Sequence, residues 1–306
     1  MPTVKSKNIL LLAVVLAILI LLPFGAGSYV LGVLTTAFYF AVFAMSWDLL
    51  FGYAGEVNFG PTFLIGLGAY GAGIGNALLG MPLPLAVLFG TAVAVAGGVA
   101  LAIPALKLSG PYLGLITLVA VLLLQQAIVI FAGISGGEIG LSVPSVLSIS
   151  SKINYAYALI FMVVSGAILL IIARSSLGMI LQAAGQDRVA ASALGFDVTR
   201  HKVLAFAVSA FFSGLSGALL VFYLGTASVN AVVDLSIGIR VIIAAVMGGR
   251  RTIIGGAIGA IFLIVAGEIL RPLGQLSSFV VAVMALGVII VFPDGLLGMI
   301  AARRQA

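Results

Sequence analysis

The sequence predicts an all-α, polytopic transmembrane helical bundle of about eight to ten membrane segments, and three observations carry that prediction. Hydrophobic residues make up 63% of the 306 positions and charged residues 7%, against roughly 25% charged in an ordinary soluble domain. The mean hydropathy is +1.36, more than a water-soluble fold can bury. Apolar runs approaching the ~20 residues that span a bilayer follow one another almost end to end.

Breaking these runs at Pro, Gly and charge clusters places segments near residues 9 to 24, 28 to 51, 57 to 79, 82 to 106, 112 to 133, 153 to 173, 203 to 223, 232 to 249, 252 to 270 and 276 to 292. The first follows Lys5 and Lys7 as a signal peptide would. No convincing small-x-small cleavage site follows it and further spans do, so it reads as a retained helix. The third, NFGPTFLIGLGAYGAGIGNALLG, is rich in Gly and Pro and suits a broken or re-entrant helix as well as a crossing. Three pairs at small-xxx-small spacing, Gly71 and Gly75, Ser213 and Gly217, and Gly255 and Gly259, read as sites of close helix packing.

Charge placement gives the topology. With a cytoplasmic N-terminus and ten crossings, Lys5, Lys7, Lys107, Arg174, Arg188, Arg200, Lys202, Arg250, Arg251, Arg303 and Arg304 fall inside, and Lys152 and Arg271 outside. Both termini are then cytoplasmic. The pI near 9.8 therefore reports topology rather than a nucleic-acid surface, and the partner is membrane lipid. With no Cys and a single His, disulfides, thiolate metal sites, a cysteine nucleophile and multi-histidine sites are excluded. No G-x-x-x-x-G-K-[ST] phosphate loop and no Ser-His-Asp grouping is present, so no catalytic, cofactor or metal site is expected in this chain.

The longest polar stretch, residues 174–202, is a cytoplasmic loop in this scheme. Within it Asp187 is a good N-cap, the Ala-rich RVAASAL favours helix, and Gly195 suits the left-handed residue past its end. The result is a helix of about two turns, near 12 Å long at about 1.5 Å per residue. It reads either as an ordinary surface helix or as a rigid knob for a partner's groove.

At this loop the chain resembles the permease subunits of ATP-binding-cassette importers, in particular branched-chain amino acid permeases of the LivM type. In AASALGFDVTRHKVLAFAVSAFFSGLSGAL, Ala190, Ala191 and Gly195 occupy that family's EAA-type signature, and Thr199, Lys202, Ala205, Phe206, Ser209, Gly214, Gly217 and Ala218 match the helix after it. The blocks LLFGYAGEVNFG, GLGAYGAG, SGPYLGLITL, SGGEIGLSVP, MGGRRTIIGGAIGA and FPDGLLGMI agree in order, so the resemblance covers roughly residues 40 to 300.

The resemblance implies a single permease domain over residues 1–306, with 174–202 as the coupling loop. It also implies a second, LivH-like permease, two ATPase subunits that hold ATP and Mg, and an extracytoplasmic solute-binding protein. The coupling helix would then carry Asp187, Arg188, Ala190, Ala191, Leu194 and Gly195, and would sit in a cleft of the ATPase. The location implied is a bacterial-type inner membrane. Two positions depart from the family: Arg240 falls where a carboxylate is usual, and Pro61 where His is frequent. The departures leave room for another small solute such as urea, a short amide or an organic acid.

Charged groups in spans are functional candidates, because a central charge costs about 2.5 to 3.5 kcal/mol to insert. Arg240, counted about eight residues and roughly 12 Å into its helix, needs a partner or a watery path, and Asp234, six positions away, lies on another face. Glu268 and Arg271 are three apart and form a local ion pair, while Asp48 and Glu56 flank a turn that water reaches. Tyr53, Asn58 and Phe59, in the Gly-rich stretch 52–75, join Arg240 as candidates for lining the solute pathway, since unwound membrane backbone borders water or protein. A gradient-driven carrier or channel is the rival class. It predicts internal repeats or a series of intramembrane carboxylates, and neither is found.

Overall fold

The computed structural model describes residues 15–106, 111–274, 276–291 and 295. Helix α1 comprises residues 15–21 and closes in a 3-10 turn, Leu22–Phe24. Helix α2 (Ser28–Asp48) runs directly into one π-helical turn, Leu49–Tyr53. Then come α3 (Pro61–Ala77), α4 (Leu83–Ala105), α5 (Pro111–Ile130), a single turn α6 (Ala132–Ser135) and the short strand β1 (Leu141–Ser142). Helix α7 (Ser151–Arg174) leads into α8 (Ser176–Gln186), α9 (Arg188–Ala193) and α10 (Val198–Leu224). Strand β2 (Thr226–Ala227), the turn α11 (Val229–Val232), α12 (Leu235–Gly248), α13 (Ile254–Ile269) and α14 (Leu276–Val291) follow. Strands β1 and β2 pair antiparallel, Leu141 with Ala227, and tie the α5–α7 connection to the far end of α10.

Among the described residues six stretches are long and apolar enough to cross a membrane: Ser28–Tyr53, Leu83–Ala105, Tyr112–Ile130, Ser151–Arg174, Val198–Leu224 and Val229–Gly248. Val15–Phe24, Ile254–Ile269 and Phe279–Val288 are shorter apolar helices. Each matches an expected segment, and the tenth is α3. The polytopic helical bundle is thus the observed fold. Lys5, Lys7, Lys107, Arg303 and Arg304, which entered the topology argument, lie outside the described residues.

The core is built around α2, whose Phe38, Tyr39, Phe43, Met45 and Trp47 are all buried. Helices α10, α13 and α7 pack about it. In lipid, helix association depends on close packing rather than on a hydrophobic drive, and the contacts here are made by glycine. A Cβ on Gly68 of α3 would lie 2.1 Å from the carbonyl oxygen of Gly214 in α10, and one on Gly90 of α4 would lie 2.3 Å from that of Gly68. All three small-xxx-small pairs sit at helix contacts. Gly259, for example, faces the Ala244 carbonyl at 2.0 Å from its notional Cβ, and Ser213 Oγ meets Ser46 Oγ at 2.7 Å. Gly68→Ala is therefore expected to lower stability by about 1–3 kcal/mol through overpacking. Thermal unfolding of the detergent-solubilised protein, compared with Gly287→Ala in α14 at a helical site with open space, is the measurement.

The Gly-rich third segment is not a broken helix. Residues 55–58 carry no regular structure and lead from the π-turn back into the bundle, where Trp47 Nε1 donates to the Asn58 carbonyl at 2.7 Å. Phe59 N donates to Thr117 Oγ1 of α5, at 3.0 Å. Helix α3 then starts inside the protein with Pro61 at a first-turn position, where its missing N–H costs nothing, and runs unbroken to Ala77. The unwound backbone precedes the helix rather than interrupting it.

Candidate functional site

Three features of the bundle carry polar chemistry or an unpartnered surface: the α8–α9 projection, the clamp beneath it around Asp48, and a cavity near Arg240.

Helix α9 has the caps its sequence calls for. Asp187 Oδ1 accepts from Val189 N at 2.8 Å and Ala190 N at 3.0 Å, and Gly195 takes φ +88° beyond the last turn. Its six helical residues make it about 9 Å long, shorter than expected. Ala191 alone of the α9 residues is buried, packing in a small cluster with Ala184 of α8 and Val198 of α10. Arg188, Ala190, Leu194 and Gly195 are exposed, and so are the apolar Val189 at 79% and Leu194 at 75%. Two large aliphatic side chains on a helix held by one alanine form a surface with no partner among the described residues.

Sequence reasoning missed α8, which occupies residues taken as loop. It seats the projection on the bundle. Gly185 of α8 lies against the turn after the π-helix, where a Cβ would stand 3.0 Å from the Tyr53 carbonyl and 3.1 Å from Ala54. Gly55, at φ +70°, completes that glycine-on-glycine contact, with Gly185 Cα 3.1 Å from its notional Cβ.

Asp48 and Glu56 do not face water, contrary to the sequence expectation. Asp48 is fully buried. Its Oδ1 accepts from Arg251 N at 3.1 Å and its Oδ2 from Thr252 N at 3.1 Å and Ile253 N at 3.0 Å. These donors sit in the α12–α13 connection, where Arg251 at φ +61° and Ile253 at φ +52° hold backbone conformations that non-glycine residues rarely adopt. The π-turn completes the clamp: Arg251 Nε donates to the Gly52 carbonyl at 2.7 Å, and Tyr53 Oη donates to the Arg251 carbonyl at 2.9 Å. Arg250 lies over the Phe51 ring, 4.6 Å from its centroid, and Phe51 stacks on Trp47. Glu56 pairs with Lys202 at the base of α10, with side-chain exposures of 13% and 7%.

The pathway candidates separate. Tyr53 is spent on the clamp. Asn58 is buried, with its Oδ1 accepting from Gly60 N at 2.8 Å. Phe59 is 43% exposed and rests its ring against Gly114. None of the three lines the large cavity, but Arg240 does. Asp234 N-caps α12 by accepting from Ser236 N, so Arg240 is the sixth residue of that helix and lies well inside the 20-residue span Val229–Gly248. It is exposed to the cavity rather than buried against a carboxylate. Glu268 and Arg271 form the expected ion pair at 2.9 Å at the cavity's edge.

Comparison with known proteins places this architecture. The model of a family described as branched-chain amino acid transport system / permease component matches residues 29–292. The high-affinity branched-chain amino acid transport system permease protein LivM of Salmonella typhimurium is 27% identical over 335 residues, covering 97% of this chain and 76% of that protein. LivM of Escherichia coli is 26% identical with the same coverage. No solved structure matches the chain.

Proposed function

The chain belongs to the family of branched-chain amino acid transport system permease components, and from that premise we propose that it is one of two permease subunits in an ATP-binding-cassette importer of the inner membrane. The solute class proposed is the branched-chain amino acids, which the names of its LivM relatives specify for those proteins. Its partners are then a LivH-like permease, two ATPases that hold ATP and Mg, and an extracytoplasmic solute-binding protein. In this reading both termini and the 174–202 loop face the cytoplasm, which the charge distribution supports.

The observation that carries the coupling role is α9, capped at both ends and anchored through Ala191, with Val189 and Leu194 exposed. The ATPase cleft takes this apolar knob. Nucleotide-driven closure moves α9 with α8 as one body, because Ala184, Ala191 and Val198 interlock, and Gly185 passes the displacement to the π-turn and to α2. A rigid lever on a tightly packed bundle is what switching between inward-open and outward-open states needs.

Gly195 provides the test. A side chain there meets open space, so its substitution acts on the backbone alone, through φ +88°. Gly195→Val is expected to unwind the end of α9 and to lower substrate-stimulated ATP hydrolysis by the assembled complex about tenfold. Gly195→Asn, which tolerates the left-handed region, retains most of it. Equal stimulation in both variants removes α9 from the coupling path.

A further inference from the structure

A cavity of about 870 Å³ opens among α2, α10, α12, α13 and α14, and its charges are arranged unusually for a membrane bundle. The ion pairs among the described residues are Lys202 with Glu56 and Arg271 with Glu268, so Arg240 has none. Nor does its guanidinium donate a hydrogen bond to any described residue. An intramembrane guanidinium is tolerated where it faces water or a ligand. Across the same cavity, Glu268 receives both of its donors, Tyr29 Oη and Arg271 Nη1, on Oε1, which leaves Oε2 without a described partner. Between these groups the wall is aliphatic, with Ile243, Leu263 and Ile264 lining it.

A five-donor fork with no described partner, a half-used carboxylate and an aliphatic wall in one cavity match the three parts of a branched aliphatic α-amino acid. We infer that this cavity is the chamber in which the permease holds its solute. Arg240 takes the α-carboxylate in a bidentate pair, Glu268 Oε2 accepts from the α-ammonium, and the Ile243–Leu263–Ile264 wall takes the side chain. The inference rests on the permease reading and adds the residues that recognise the solute. It also gives the departure at Arg240 a physical consequence: a cation here selects solutes that carry a carboxylate, and an amide or urea leaves it unpaired.

The chain's lack of cysteine makes the test direct. Ser236 lines the cavity and is exposed, so Ser236→Cys places a single reactive thiol in this chain at the site. In the purified assembled complex, the rate at which a fluorescent maleimide labels this subunit is measured against added L-leucine, leucinamide (no carboxylate) and 4-methylpentanoate (no ammonium). L-leucine is expected to protect the thiol. Leucinamide and 4-methylpentanoate should each need about ten- to hundredfold more, the range for losing one charge-assisted pair. Adding Arg240→Gln should remove the difference between leucine and leucinamide, and Glu268→Gln the difference between leucine and 4-methylpentanoate. Arg240→Lys, which keeps the charge but not the fork, should lie between, and co-purification of the ATPases reports that each variant folds.

Equal protection by leucine and leucinamide, or protection by leucine that survives Arg240→Gln unchanged, overturns the inference. A complex that imports leucine on ATP while the thiol is never protected removes the chamber and leaves the permease function standing. A complex that does not import leucine at all removes the permease reading itself.

Discussion

Asp48→Ala is expected to be among the most destabilising single substitutions in this protein, at about 3 kcal/mol or more. Three backbone N–H groups converge on one buried carboxylate, and each buried donor left unsatisfied costs about 1–3 kcal/mol. Water does not replace the carboxylate, since Asp48 and Ile253 are both fully buried. The carboxylate also holds Arg251 and Ile253 at positive φ, and without it that strained connection has no reason to keep its shape.

Asp48→Asn separates charge from geometry. One amide oxygen can still accept from Thr252 and Ile253, but the amide nitrogen then confronts Arg251 N as donor against donor, so an intermediate loss is expected. Gly52 belongs to the same unit, because a Cβ there would fall 2.3 Å from Asp48 Oδ1. The measurement is thermal unfolding of the solubilised protein. An Asp48→Ala midpoint equal to wild type would show that the α12–α13 connection is held by packing instead.

The contrast between what the sequence disclosed and what it concealed comes from the range of the interactions. The ten apolar segments were legible because bilayer thickness imposes a length on each run independently of its neighbours. The caps of α9 were legible because Asp187 and Gly195 act within four residues of the backbone they satisfy. Asp48 was misplaced because its partners are 203 to 205 positions away and are backbone groups, which leave no side-chain signature. A carboxylate just before a Gly-rich turn looks like a solvated residue unless the distant loop is known. Gly52, one helical turn after it, was the local clue to a close approach.

Helix α8 was lost for a different reason. It is short and interrupted by Gly178 and Gly185, and it amounts to a polar stretch only when averaged with its surroundings. Those glycines are contact residues: Gly178 packs against the Ala173 carbonyl and Gly185 against Tyr53 and Ala54. The start of α12 at Leu235 follows from the Asp234 N-cap, which the apolar run from Val232 conceals, while Arg240 keeps its place well inside the span Val229–Gly248. Of the partner or watery path that a charge at this depth needs, the structure gives Arg240 the second, on the wall of a cavity.

Lys202→Met is the second substitution expected to have a large effect, and it tests the link between the α9 end and the unwound entry to α3. Lys202 and Glu56 pair at a nearly enclosed site, and removing one member of a buried pair costs about 3–5 kcal/mol because the other charge is stranded. Replacing both with apolar residues of similar volume, Lys202→Met with Glu56→Leu, removes the stranded charge and should recover most of the stability. Transport need not recover with it. The pair fastens the 54–60 stretch to the start of α10, close to the Val198 that anchors α9, so an apolar contact in its place can slide where the ion pair could not. Stability regained with solute-stimulated ATP hydrolysis still reduced would assign the pair to transmission of the α9 movement. If hydrolysis recovers along with stability, the pair serves folding alone, and the Gly55–Gly185 contact carries the movement into the bundle.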